Sequence, residues 1–423
     1  MRATRRTLSS FRVERQHWSD SPLVRSHPLA DTKPGGQGAT EARWLAAACE
    51  EPTSKVLLFS HGKCAVRGTR PRQRLAWYPW RSVPEGLKFR ELLEEPPPPD
   101  FGAGSTLLLL GKDTREGGGG WRFAVDCSAL EEDALAAALA GGYDDDGPVS
   151  MASPRSLMGT LSHDRAELAI LGQAASRLNW HSEVLHCRRS GNPTVPVGAG
   201  HRRIDPTNMN HRTNTSYPRT DPVAIMLVQS PDGSKCLLGR TAKRANSNMF
   251  TCLAGFVEQC ESVEDAVRRE VFEEAGVTIG AGRQDVALIG SQPWPIGAAG
   301  HSELMLGCIA TASSESIVVN RDEMDSVRWF SRDEALELLE RSRSADPYGD
   351  ANKALTCPPD FAIAHHLIQT WAEGGDNDDS EQPTLAGEIL ALKDLHDQGV
   401  LDSDEFKSAK AAVLDRYRAQ GPS

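Results

Sequence analysis

The chain has 423 residues, of which 39% are hydrophobic and 25% charged, a balance that builds packed cores and argues against global disorder. Its formal net charge of -11 argues against a broad, basic, non-specific nucleic-acid surface, and no apolar run approaches the ~20 residues a membrane-spanning helix needs. Nine scattered cysteines with no CxxC pair fit a reducing compartment, cytoplasmic by default, better than a disulfide framework. The first ten residues, MRATRRTLSS, carry three arginines and no acid; they read as a frayed basic terminus, with a fragment of an organelle transit signal as the alternative. Residues 1–150 then alternate short apolar runs of strand length, KVLLFS from Lys55, STLLLLG from Ser105 and WRFAVDC from Trp121, with Pro- and Gly-rich loops. This is the pattern of a small mixed α/β or β-rich domain.

From His163 to Trp180 the period changes, and Leu168, Leu171, Ala175 and Leu178 fall on one helical face. A polar, Gly- and Asn-rich stretch, 188–216, reads as a loop-dominated connector, which closes a linker region 151–216. Strand DPVAIMLVQS from Asp221, a PDG turn and returning strand KCLLGR make a hairpin. A helix over Val263 to Ala275 follows, then strands from Val286 and Leu304, a Ser-capped helix from Ser331 and a closing helix ending at Trp371. This alternation over 217–372 predicts a layered α/β domain. An acidic linker, 373–384, leads to a helical hairpin over 385–423, with Leu385, Ile389, Leu392 and Leu395 on one stripe.

The chemistry concentrates in GFVEQCESVEDAVRREVFEEAGV, Gly255 to Val277. Ser262 with Asp265 caps a helix start, and within that helix Glu270, Glu273 and Glu274 stand at i, i+3 and i+4, on one face. Clustered like charges destabilise a bare helix but suit hard cations such as Mg²⁺ or Mn²⁺, which take carboxylate oxygens. Glu261, just before the helix, can join the cluster, and Arg269 can offset part of its charge. Three glutamates alone would read as a solvated acidic face. Here nine positions, Gly255, Glu261, Arg269, Glu270, Val271, Glu273, Glu274, Gly276 and Val277, match the Nudix box, so the segment resembles that of the Nudix hydrolases.

A second segment, SQPWP from Ser291 to Pro295, resembles the signature of the NADH pyrophosphatase family among them. Family members usually continue with Phe-Pro; this chain has Ile296 and several inserted residues before Leu304. YPRTDPVAIMLV from Tyr217, NRDEMDSVRWF around Glu323 and AIAHHLI from Ala362 extend the resemblance, as do NWH at His181 and, weakly, FRVERQHWSDSPLVR from Phe11.

The resemblance implies an α/β/α Nudix sandwich with a mixed sheet, preceded by a Nudix-like N-terminal domain and followed by the tail hairpin. It implies metal-dependent hydrolysis of NADH or NAD to nicotinamide mononucleotide (reduced or oxidised) and AMP. Glu270 and Glu274 would hold metal with the backbone carbonyl of Ala254 and with Glu323, and Glu273 would be ligand or general base. Phe256 and Tyr217 would stack on the nicotinamide, the tyrosine coming from the partner in a homodimer. Gln292, Pro293, Trp294 and Pro295 would define the substrate end, with a backbone contact at Ala364. Rival readings are a Nudix hydrolase of ADP-ribose or of NAD-capped RNA, and a catalytically idle NAD-binding or scaffold protein.

One departure concerns zinc. The family usually carries a four-cysteine ribbon before Tyr217, but only Cys187 remains, with Ser190 in the second place and Met209 and Arg212 expected in the third and fourth. Structural zinc needs four Cys or His ligands, so zinc is not expected unless His181, His186, His201 and His211 rebuild the site. A second is Cys260, where glycine is common. The tail from Glu388 resembles the short C-terminal domain appended to many unrelated proteins, which implies an interaction role or merely a stabilising hairpin.

Overall fold

The computed structural model describes residues 23–24, 45–70, 72–80, 106–113, 120–140, 147–161, 164–208, 210, 213–297, 301–344, 354–374, 392, 396 and 402–419. The chain divides into two compact units, Met1–Thr370 and Trp371–Ser423.

The first unit holds three sheets. The N-terminal one has eight strands: β1 (Leu23–Val24), β2 (Lys55–Ser60), β3 (Lys63–Arg67), β4 (Arg74–Leu75), β5 (Trp77–Pro79), β6 (Leu107–Asp113), β7 (Trp121–Asp126) and β8 (Val149–Ala152). Strands β2 and β7 run parallel, with Leu57 opposite Ala124, while the other pairs are antiparallel. Both faces are covered. Leu57, Phe59, Leu108 and Leu110 meet Leu168, Leu171 and Leu178 of helix α3, Arg165–Glu183. Val56, Leu58, Leu107 and Leu109 form a second core, against which α1 (Glu132–Ala140) lays Leu135 and Leu139. A short helix α2, Pro154–Leu157, is capped by Ser153, whose side chain accepts the amide of Ser156. The helix predicted over residues 163–180 is thus α3, started by the Asp164 cap.

The connector is more ordered than its composition suggests. Three short strands, β9 (Val195–Val197), β10 (Arg202–Ile204) and β11 (Thr215–Ser216), form an antiparallel sheet. The buried Arg203 guanidinium holds it, donating to the Thr194 carbonyl at 2.7 Å and to Thr194 Oγ1 at 2.8 Å.

The third sheet has the order β15-β16-β12-β13-β17, with β14 beside β12. Its members are β12 (Thr220–Gln229), β13 (Lys235–Thr241), β14 (Leu253–Phe256), β15 (Val286–Trp294), β16 (Ser302–Thr311) and β17 (Met324–Ser331). β12 and β16 are parallel, Ile225 opposite Gly307, and the neighbours are antiparallel. Residues 223–228 are buried without interruption because the sheet is covered on both faces. Ala224, Met226 and Val228 meet Ala266, Val267, Val271 and Ala275 of helix α4, Val263–Ala275. On the other side, Ile363 of helix α6 (Ile363–Glu373) stands where a Cβ on Gly307 would be. Helix α5, Arg332–Ser344, buries Ala335, Leu338 and Leu339. The result is an α/β/α sandwich with a mixed sheet. Of the hairpin expected in the tail, helix α7 (Ser403–Ala419) is described; the stripe from Leu385 lies largely outside the described residues. Among the described residues no helix is long and apolar enough to cross a membrane.

Candidate active site

Helix α4 carries the glutamates, and its ends are fixed by local chemistry. The Ser262 side chain accepts the Asp265 amide, and Gly276 ends the helix at φ +64°, a left-handed conformation that suits glycine. Thirteen residues are too few for a stable isolated helix. Burial of Val267 and Val271, worth about 1.5–3 kcal/mol for each such side chain, holds the acidic face in place against its own repulsion.

On that face Arg269 is the hub. Its Nε and Nη2 donate to the two oxygens of Glu261 at 2.8 and 2.9 Å, and Nη1 donates to Glu270 Oε1 at 2.7 Å and Glu273 Oε2 at 2.9 Å. Nη2 also reaches the Phe256 carbonyl at 2.8 Å. The guanidinium therefore ties β14 and the loop before α4 to three carboxylates, and it holds Glu261 below the usual carboxylate range. The loop itself turns at Cys260, φ +65°, which explains why glycine suits that place.

Glu270 and Glu274 lie deeper. A Cβ on Gly255 would coincide with the Glu270 carboxyl group, so only glycine lets that carboxylate reach the strand. Burial pushes the Glu270 pKa up, and Arg269 opposes the shift. Glu274 is 7% exposed; burial, then the charges of Glu270 and Glu323, push its pKa up to about 8, while the Ala254 amide, which donates to it, opposes. Glu274 Oε2 is buried with no hydrogen-bond partner. Among the described residues no three acidic, His or Cys side chains are gathered tightly enough to enclose a cation by themselves. Even so, the donors fit a hard divalent ion: carboxylate oxygens of Glu270 and Glu274, one of them orphaned and buried, beside the peptide of Ala254. Glu323 is near enough to raise both.

The other expected site residues divide into two groups. Tyr217, 66% exposed, and Phe256, 52% exposed, present large rings to solvent. Gln292 does not: its side chain is fully buried, donating to the Phe361 carbonyl at 2.7 Å and accepting the Ile363 amide at 2.8 Å. Backbone groups take both ends of the amide, so the side chain is a clamp between β15 and the start of α6. The clamp sets the start of α6, where Ala364 is buried and its carbonyl receives the Cys252 thiol at 3.8 Å. Trp294 and Ile296 pack against the core formed by the N-terminal sheet and α3, and Pro295 is buried. Pro293 pairs with Leu304 in the sheet. The SQPWP segment is therefore a strut between the two halves of the unit, with the half-buried Trp294 ring packed on the N-terminal core.

At the ribbon position, Ser190 donates to Asp205 Oδ2 at 2.6 Å, and Asn192 donates to the same oxygen at 3.2 Å. Thr207 donates to Oδ1 through its amide at 3.0 Å and its hydroxyl at 2.6 Å. The Asp205 pKa falls to about 2, first through Ser190. Hydrogen bonds from Ser190 and the Arg189 amide hold the Cys187 thiol below its ordinary value. Asp205 thus takes up the Ser190 hydroxyl and lies near enough to Cys187 for its charge to act on the thiol; Met209, His211 and Arg212 lie outside the described residues. Two of the nearby histidines are otherwise engaged. His181 bonds the Gly200 carbonyl and Arg203, and burial lowers its pKa to about 3; His201 bonds Arg177. The described residues do not supply a four-ligand zinc set. Sequence reasoning missed Asp205 because an aspartate in a turn carries no metal signature.

The chain matches the NUDIX domain family over residues 218–349. It is 45% identical over 209 residues to the human protein named NAD-capped RNA hydrolase NUDT12, covering 48% of this chain and 42% of that one. It is 36% identical over 209 residues to human NAD(P)H pyrophosphatase NUDT13, mitochondrial, covering 49% of this chain and 55% of that protein. With the NAD-capped RNA hydrolase NudC of Mycobacterium bovis it shares 34% identity over 242 residues, 56% of this chain and 71% of the relative. The chain thus spans about half the length of most of these relatives.

Proposed function

The chain belongs to the Nudix hydrolases, in their NADH pyrophosphatase family, and from that premise we propose that it hydrolyses the diphosphate of NADH or NAD to (reduced) nicotinamide mononucleotide and AMP. A divalent ion, Mg²⁺ or Mn²⁺, would neutralise the diphosphate and lower the pKa of the attacking water. Glu270, Glu274 and the Ala254 carbonyl would hold it, and Glu323 would add a ligand or orient water. Glu273, at the edge of the face, would be ligand or accept the proton from water. Arg269 positions these groups, since one guanidinium fixes Glu261, Glu270 and Glu273. Phe256 would stack on the nicotinamide with Tyr217 of the second copy in a homodimer; both rings are exposed and flat.

The observation that carries this reading is Glu274 Oε2, buried and unpartnered beside Glu270. Burying a carboxylate oxygen without a partner is costly, and a bound cation offsets that cost. The test is turnover of NADH in excess EDTA, which should vanish and return with Mg²⁺ or Mn²⁺; full turnover in EDTA would refute the role of the glutamates.

A second reading is favoured by the names of two of the relatives: the same cut made at the NAD cap of RNA. It requires the same glutamates. The net charge of -11 weighs against extended contact with the RNA body. Comparing NADH with a short NAD-capped RNA at equal concentration separates the two, since a preference for the capped RNA requires contacts beyond the cap.

A further inference from the structure

Within the first unit lies a cavity of about 670 Å³, lined by none of the glutamates above. That is within the range of small-molecule pockets, roughly 300–1,000 Å³. Three segments meet there: the β2–β3 turn with the end of β7, helices α2 and α3, and residues Pro295, Ile296 and Gly297. Its walls are apolar where Phe59, Pro154, Leu178, Pro295 and Ile296 line it.

Its polar groups form a connected set. Asp126 Oδ1 accepts the amide and the hydroxyl of Ser128, and Ser128 Oγ accepts the His61 amide at 2.8 Å. The His61 ring is held through Nδ1 by Ser60 Oγ at 2.9 Å. Asp126 Oδ2 and His61 Nε2 take no hydrogen bond from another described residue. His61 keeps its place at φ +48°, a conformation uncommon for a residue with a side chain. Arg155 also lines the space, and its Nη2 donates to the Ile296 carbonyl at 2.9 Å, so the cavity is fastened to the strut that follows SQPWP.

A carboxylate with a free oxygen, a ring nitrogen and a hydroxyl, set beside an apolar wall, match a ribose diol joined to a flat base. Carboxylates accept from a ribose 2′-hydroxyl in dinucleotide sites for the same reason. With one aspartate, one arginine and one histidine the lining has no excess positive charge to demand a phosphate. We propose that this cavity is a second, non-catalytic site for a ribonucleoside, held by Asp126 and His61 against the wall formed by Leu178 and Pro295.

The test is calorimetry on the full chain with adenosine in EDTA. The expected result is saturable binding of one adenosine per chain, weakened by about tenfold or more when 2′-deoxyadenosine replaces adenosine, the loss of one good hydrogen bond to a charged group. Asp126→Asn should weaken adenosine to a similar degree. Ser182→Trp, a bulky change at an exposed α3 position on the cavity rim, should block it, and decides the matter if Asp126→Asn fails to fold. Glu274→Gln should leave adenosine binding unchanged. Absence of saturable binding, or binding that survives Asp126→Asn and Ser182→Trp or is lost in Glu274→Gln, overturns the proposal.

Discussion

The carboxyl group of Glu270 occupies the volume that a side chain on residue 255 would need. Strand β14 and helix α4 meet there without room for one methyl group, so the glycine at the head of the box is steric in origin. Gly255→Ala should push Glu270 outward while leaving both cores intact. A misplacement of about 1 Å costs on the order of 10²-fold in rate. Turnover with a thermal unfolding curve checks this, and near-normal turnover would show that the Glu270 position is not critical.

Glu274→Gln keeps size and helix propensity but removes a charge from the face beside Glu270. An amide is a poorer ligand for a hard cation, so the rate should fall by orders of magnitude while the fold persists. Glu264, on the same helix but exposed, is the control, and Glu264→Gln should stay near wild type. Equal loss in both variants would move the catalytic metal elsewhere.

The pH dependence of metal-free stability follows from Glu274. Its folded pKa is raised to about 8 by burial, above its unfolded value near 4.3. The folded state therefore binds the extra proton. The stability it confers is full below about pH 4.3 and is lost as pH rises toward and through about 8. In EDTA, the unfolding free energy should fall over that window. Glu274→Gln should flatten the fall, and saturating Mn²⁺ should oppose it. An unchanged slope in Glu274→Gln would assign the titration to another group.

At the connector, Asp205 receives four hydrogen bonds from Ser190, Asn192 and Thr207. We expect this network to stand where zinc would. Elemental analysis should find far less than one zinc per chain. A zinc-selective chelator, added in saturating Mg²⁺, should leave the unfolding temperature unchanged, and Asp205→Ala should lower it by several degrees. One zinc per chain would show that residues outside the described ones complete a site.

Much of this was legible in the sequence because it is written in short-range pattern. The box helix runs over Val263–Ala275 as its cap and spacing predict, and the continuous apolar run in β12 marks a strand covered on both faces. Long-range partnerships were not legible. Nothing local distinguishes Gln292 facing substrate from Gln292 clamped on Phe361 and Ile363, 69 and 71 residues away. His61 and Asp126 likewise meet only because β2 and β7 pair in parallel. The connector strands were missed because three-residue strands in polar sequence carry too few apolar positions to show a period.

The most direct measurement is a product assay on a panel of dinucleotides, NADH, NAD, ADP-ribose and a short NAD-capped RNA, with wild-type protein and Glu274→Gln in Mg²⁺ or Mn²⁺. The account predicts that wild type converts NADH or NAD to AMP and the nicotinamide mononucleotide, and that Glu274→Gln does not. Release of other products, or AMP formed equally by both proteins, would contradict it.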